Sequence, residues 1–227
     1  MPTEPREAPP ASLRAKVLEH ATKNPSPTRD ALRKRTAFWL ALGLSLPVAL
    51  LALVGGVQRG PRPPLLLAAT ATGALGLSLI ALGTAFGYGG RSLGRPRLQL
   101  LSSALLLPLL LVLWKLGCSS AFPGMTQAWP THPGLRCFGL SLLLGLAPLI
   151  AFLAARRKSD PVHPVTLGAA LGAAGGLWGA SFVDLWCPAG YPLHVILGHA
   201  LPSLLLATLG GWVGARVLAT PPSSEPR

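Results

Sequence analysis

Six long apolar runs dominate this chain and strongly limit what it can fold into. A helix of about 20 apolar residues crosses the hydrocarbon core of a bilayer. The runs are rich in Leu, Ala and Gly and lack the strict alternation of a β-barrel strand. Because only a helix satisfies all its backbone hydrogen bonds within one segment in lipid, the sequence predicts an all-α membrane protein, a six-transmembrane-helix bundle. We place the spans at residues 37–57, 64–86, 98–116, 138–155, 165–183 and 194–215.

The basic residues are distributed very unevenly between the two sides of this predicted bundle. Sixteen Lys and Arg lie in the N-terminal tail, the 87–97 and 156–164 loops and the C-terminal tail, against four on the other side. By the positive-inside rule, both termini are expected to be cytoplasmic. The net charge of +13 follows this topology and forms no continuous patch, so the lipid bilayer, and no nucleic acid, is the expected partner of these charges.

Three segments are expected on this basis. Residues 1–36 form a basic cytoplasmic tail with a short helix at 12–23, which is capped by Ser12 and ended by the proline-containing stretch 24–27. Thr28 then caps a second helical turn that enters the first span. Residues 37–218 form the membrane domain, and residues 219–227 a disordered cytoplasmic tail.

Glycines at a spacing of four residues mark the fifth span, namely Gly168, Gly172 and Gly176. Small residues at this period let helix backbones approach closely, so the fifth span is predicted to be central in the bundle.

Nearly all side chains of chemical interest fall on the side predicted to face outward, in or beside the 117–137 and 184–193 loops. The candidate signal-sensing or metal-binding residues there are Cys118, Cys137, Asp184, Cys187, His194 and His199. Thiolate and imidazole ligands suit zinc or copper. However, His194 and His199 are separated by about 140° on a straight α-helix, so a shared ion requires a distortion near Pro192 or Pro202.

Other interpretations of the same residues stay open. A disulfide between Cys118 and Cys137 is the most natural pairing, and it would leave Cys187 as a thiol for redox sensing or for packing. His199 lies inside the sixth span, where an ionisable group usually has a partner, and Asp184 is the expected one. The histidines can also be interfacial packing residues.

An enzyme is not expected. The chain has seven acidic residues and lacks a nucleophile elbow, the zinc-protease motif H-E-x-x-H and a phosphate-binding glycine loop.

Four motifs carry a resemblance to a known family. They read S-D-P-V-H-P-V-T-L-G-A-A-L-G-A-A-G-G, D-L-W-C-P, H-V-I-L-G-H-A-L-P and G-G-W-V-G-A-R-V-L. With the basic tail and six spans, over residues 10 to 218, the chain resembles the NrsF/CarR-like family of six-span inner-membrane anti-sigma factors. The resemblance implies a bacterial inner-membrane protein that sequesters an extracytoplasmic-function sigma factor and releases it on an outside signal.

The resemblance also implies roles for particular residues. Leu13, Val17 and Leu18 of the tail would contact the sigma factor, and the outer Cys and His residues would receive the signal. A different class of function is a small membrane transporter or metal-handling protein with a site at Cys187, His194 and His199.

Overall fold

The computed structural model describes residues 10–23, 28–53, 56, 63–87, 95–122, 134–157, 161–187 and 191–219. These residues are helical apart from short connections. In chain order the helices are α1 (Ala11–Lys23), α2 (Arg29–Leu53), α3 (Pro64–Phe86), α4 (Arg97–Ser120), α5 (Leu135–Arg156), α6 (Pro164–Trp186), α7 (Pro192–Val195), a π-helical turn (Ile196–Ala200) and α8 (Leu201–Val217). The chain divides after Thr36 into two units.

Six helical segments are long and apolar enough to cross a membrane, as the sequence predicts. Five are α2 to α6, and the sixth runs continuously from Pro192 to Val217 through α7, the π-turn and α8. Burial differs sharply among them. In the most apolar 18-residue stretch of each helix, 83% of the residues of α6 are buried, compared with 11% of those of α2. The fifth span is therefore the central helix of the bundle, as its glycines predict.

Glycines set the close packing between α6 and α8. A Cβ added to Gly168 would collide with the carbonyl of Gly210, and one added to Gly172 would collide with the carbonyl of Leu206. With hydrogen in place of a side chain, the two backbones touch directly, as in other small-residue helix contacts. The two helices are thereby fixed in one register.

The helix ends depart from the predicted ends in a way that matters for the candidate site. Cys118 lies in the last turn of α4, Cys137 in the first turn of α5 and Asp184 in the last turn of α6, so none of the three lies in a loop. At the end of α6 the carboxylate of Asp184 is paired with Lys115 inside the bundle and does not need to reach water.

The N-terminal unit contains α1 and the start of α2. The predicted helix at 12–23 is confirmed, but it begins at Ala11, so Ser12 lies inside the helix and does not cap it. Thr28 does cap α2, because its Oγ1 accepts a hydrogen bond from the backbone N–H of Ala31 at 3.2 Å. The predicted break at 24–27 and the tail beyond residue 219 lie outside the described residues.

Candidate functional site

Four buried side chains meet at one end of the bundle, and we call them the Cys/His cluster: Cys137, Cys187, His194 and His199. Cys137 comes from the first turn of α5, and Cys187 directly follows the last residue of α6. His194 lies in α7 and His199 in the π-turn. One potential ligand atom from each residue lies within 4.8 Å of those of the other three.

The π-turn brings the two histidines together. In a π-helix the hydrogen bonds run from residue i to i+5, so the turn is wider and residues five apart lie closer to one face than in an α-helix. The backbone N–H of Leu201 accordingly bonds the carbonyl of Ile196. The imidazole rings of His194 and His199 have their centroids 5.4 Å apart. This turn is the distortion that the sequence required for a shared ion.

Pro202 explains why the helix is distorted at this point. A proline has no backbone N–H, so Pro202 cannot donate to the carbonyl of Gly198, four residues earlier. Ser141 supplies the missing donor from α5, because its Oγ donates to the Gly198 carbonyl oxygen at 2.9 Å. The π-turn is therefore held by a residue one helical turn after Cys137.

Two glycines leave room for the cluster. Gly134 has a left-handed backbone (φ 75°) just before α5, a conformation that glycine adopts without steric cost. A Cβ on Gly198 would lie 3.1 Å from the Cβ of Cys137, which is tighter than ordinary van der Waals contact. Any larger residue at Gly198 would push α5 away from the π-turn.

Cys187 and His194 are in direct contact, with Sγ and Nε2 3.0 Å apart. The rings of Tyr191 and His194 also pack edge to face, at a centroid distance of 5.2 Å. The pKa of the Cys187 thiol lies well below its ordinary value, because its sulfur accepts hydrogen bonds from Cys137 and, more weakly, from His194, although burial acts in the opposite direction.

The expected pairing of His199 with Asp184 is wrong. Asp184 instead accepts a hydrogen bond from Lys115 of α4, with Nζ and Oδ1 2.9 Å apart and both side chains 2% exposed. Lys115 is long enough to reach Asp184 across the bundle, and its full charge is a stronger partner for a buried carboxylate than an imidazole. The sequence feature that could have indicated this pair is Lys115 itself, a single lysine within the last two turns of an apolar span.

The expected disulfide between Cys118 and Cys137 is also not formed. The Cys137 sulfur lies in the cluster with Cys187, whereas Cys118 is half-buried and is not among the clustered residues. The two cysteines are on different helices, and the face of α5 that carries Cys137 is turned toward α6 and the π-turn.

The residues predicted to contact a partner lie far from this cluster in sequence. Leu13, Val17 and Leu18 are all in α1, and the side chain of Leu18 is 66% exposed. An apolar side chain exposed on a short basic helix is a feature that a partner protein can cover.

Comparison with known proteins identifies the family. A family model described as "Negative regulator of sigma F" (NrsF) matches residues 21–219, which include all six long helices. No curated protein and no solved structure matches the chain. The match begins in the last turn of α1, so Leu13, Val17 and Leu18 lie outside it. The chain therefore belongs to the NrsF family of negative regulators of sigma F, as its motifs and six spans had indicated.

Proposed function

We propose that this protein is an anti-sigma factor of the bacterial inner membrane that holds an extracytoplasmic-function sigma factor at the cytoplasmic face and releases it on an outside signal. The match of residues 21–219 to the negative regulators of sigma F carries this proposal. Six long apolar helices support retention of the partner at a membrane. A family of this description points to regulation by binding, and not to catalysis.

The charge distribution supports the proposed orientation. Sixteen of the twenty Lys and Arg residues fall in the two tails and in the second and fourth loops. The positive-inside rule assigns these segments to the cytoplasm, and an even number of spans returns the C-terminus to the same side. In this orientation the Cys/His cluster is at the outer end of the bundle, where an extracellular or periplasmic signal arrives first.

The tail of residues 1–36 is the proposed binding element. Within α1, Leu13 and Val17 are one helical turn apart, and Leu18 is an exposed apolar side chain. Helices with such side chains bind by laying their apolar face into a groove on the partner. The eight basic residues of the tail would speed encounter with an acidic surface more than they would add affinity. A segment this short would gain its final order on binding.

The cluster is the proposed receiver of the signal. It joins the start of α5, the end of α6 and the start of the sixth span, so a change at these four side chains acts on three helices at once. The close glycine contact between α6 and α8 would carry such a change along the bundle.

A second candidate function, a small membrane transporter or metal-handling protein, is favoured by one observation, the buried Cys/His cluster itself. The two functions differ in what the tail does. An anti-sigma factor requires its tail to hold the partner, whereas a transporter works without it.

Removal of residues 1–27 tests the proposal, because this truncation leaves Thr28 to cap α2 and keeps every span intact. Full-length and truncated proteins are purified from membranes of the native host, and the captured sigma factors are identified by mass spectrometry. We expect capture by the full-length protein and its loss on truncation. Equal capture by the truncated protein contradicts the tail assignment, and substrate flux in vesicles with no capture by either protein favours the transporter.

A further inference from the structure

We propose that Cys137, Cys187, His194 and His199 bind one divalent cation of the zinc class in tetrahedral geometry. The proposal goes beyond anti-sigma activity and stands independently of it, because it concerns the chemistry of four side chains and not the partner of the tail.

The distances fit a single ion after a small contraction. Zinc lies at about 2.3 Å from sulfur and about 2.0 Å from nitrogen, so ligand atoms in a tetrahedral site are roughly 3.3 to 3.8 Å apart. The four atoms of the cluster are already within 4.8 Å of one another, and Cys187 Sγ is 3.0 Å from His194 Nε2. The most distant pairs of ligand atoms would have to approach each other by about 1 Å to complete the site.

The histidines have the hydrogen-bonding deficit of metal ligands. His199 is fully buried, and among the described residues neither of its ring nitrogens makes a hydrogen bond of good geometry. The Nδ1 of His194 is likewise buried without a partner. Buried polar atoms are nearly always satisfied, so a group that leaves three imidazole nitrogens unpaired needs an explanation. Coordination through one nitrogen of each ring accounts for one of the two His199 nitrogens and, if His194 binds through Nδ1, for the His194 nitrogen as well.

Charge selects the kind of ion. Two thiolates and two neutral imidazoles carry a charge of about −2 in total, which a divalent cation cancels. A monovalent copper ion would leave one uncompensated negative charge in a buried site, and such a charge is costly. The neighbouring Lys115–Asp184 pair is already neutral by itself and adds no net charge. Magnesium and calcium prefer oxygen ligands, and the cluster provides only sulfur and nitrogen.

The preorganisation of the cluster supports a bound ion over a chance meeting of side chains. The π-turn, the Ser141 hydrogen bond and the glycine at 198 all act to bring His199 over His194 and against Cys137. Single π-turns inside α-helices occur frequently at functional sites. Together they hold three ligands on helical segments, and the fourth, Cys187, directly follows the last residue of α6.

Metal binding by the full-length protein in detergent, reduced and freed of metal, tests the proposal. Cobalt(II) is titrated first and then displaced with zinc, and the thiolate-to-cobalt charge-transfer absorption and the intensity of the d–d bands report the ligands and the geometry. We expect one cobalt per chain in a tetrahedral sulfur-containing site and its displacement by zinc. Cys137→Ser, Cys187→Ser and His199→Gln should each weaken binding by more than the roughly 10- to 100-fold typical of a change outside the ligand set.

Two substitutions serve as matched controls. Cys118→Ser and His163→Gln alter the same residue types outside the cluster and should leave the affinity unchanged. X-ray absorption of the wild-type zinc protein needs no variant, and it should give two sulfur and two nitrogen ligands. Absence of stoichiometric binding by the reduced wild type, a sulfur-free ligand shell, or equal weakening by Cys118→Ser overturns the proposal. So does a native Cys137–Cys187 disulfide in protein that carries no metal.

Discussion

Lys115 and Asp184 form a buried ion pair that ties the end of α4 to the end of α6, with Nζ and Oδ1 2.9 Å apart. Asp184 lies three residues before Cys187, so the pair fixes the helix end from which the Cys/His cluster receives one of its thiols. The pair gives the central helix a charged anchor at the same end of the bundle as the cluster.

Breaking this pair on one side should be more harmful than removing it. Asp184→Leu leaves a buried ammonium without its counter-charge, and Lys115→Met leaves a buried carboxylate, each at a cost of about 3–5 kcal/mol. The double variant removes both charges and should recover a large part of that loss. Thermal unfolding in detergent measures the three variants, with Lys16→Met, an exposed lysine of α1, as the control. Additive losses in the double variant would show that the two side chains act separately.

Gly172 and Gly76 provide a matched comparison of helix packing. Gly172→Ala places a Cβ against the Leu206 carbonyl and should destabilise the protein by about 1–3 kcal/mol through overpacking. Gly76→Ala on α3 meets no atom within 4 Å and should be neutral, or stabilising by up to about 1 kcal/mol through helix propensity. Resistance to unfolding by a denaturing detergent ranks the two. Equal stability of the two variants would argue against the direct contact of α6 with α8.

Pro202→Ala tests whether the π-turn is needed for metal binding. An alanine there regains the N–H that can bond the Gly198 carbonyl, which favours an ordinary α-helix. His199 would then turn to about 140° from His194. We expect the cobalt affinity to fall by more than about 10-fold, although all four ligands are retained. Ten-fold is the lower limit of the losses that are typical of changes outside the ligand set. Pro108→Ala, inside α4, is the control and should bind normally; normal binding by Pro202→Ala would mean that the histidines meet without the π-turn.

Ser141→Ala should loosen the same turn from the other side. The substitution removes the hydroxyl that donates to the Gly198 carbonyl. A buried acceptor that loses its partner lowers the free energy of unfolding by about 1–3 kcal/mol. The hydrogen-exchange rates of the backbone amides at 196–201 should rise, whereas the rates of the amides at the α6–α8 contact should stay the same. Ser120→Ala is the reference, because this exposed serine donates its hydrogen bond to the carbonyl of Gly117 within α4. Unchanged exchange in Ser141→Ala would show that the π-turn does not depend on this hydrogen bond.

Leu18→Glu should weaken capture of the sigma factor, because it places a charge where an exposed apolar side chain is proposed to dock. Ser12→Glu adds the same charge to the same helix about 120° away and should be tolerated. Co-purification from membranes with equal amounts of each variant measures the captured sigma factor. We expect Leu18→Glu to lower the affinity by about 10-fold or more, which corresponds to the loss of an interface contact worth at least about 1.4 kcal/mol. If both variants bind alike, the contact lies on another face or another segment.

Periodicity and length predicted the fold well, since each span is specified locally by its own apolar residues. The centrality of α6 was also predictable, because the spacing of Gly168 and Gly172 favours close helix packing, which the structure shows. The helix ends were less predictable. Cys137 and Asp184 were assigned to loops because hydropathy alone does not report a polar residue that is satisfied by a partner on another helix.

The site was predictable in membership but not in pairing. The sequence placed Cys137, Cys187, His194 and His199 on one side, and the structure gathers them together with Cys118 left out. Which carboxylate meets which cation depends on the rotation of each helix about its axis, and single-sequence patterns fix that rotation only coarsely. Lys115 was therefore counted as a topological charge, although it is the partner of Asp184.

The π-turn at Ile196–Ala200 has a consequence for how this region can vary among relatives. A π-turn contains one residue more than an α-turn, so it shifts the phase of everything after it by about 100°. The cluster, which has His194 before the turn and His199 within it, and the contact of Gly210 with Gly168 after it are therefore aligned by the number of residues between them. Deletion of a single residue from this stretch could keep every ligand and every glycine in the chain. It would nonetheless rotate α8 out of register with the ligands, so the number of residues in this stretch is constrained as well as their identity.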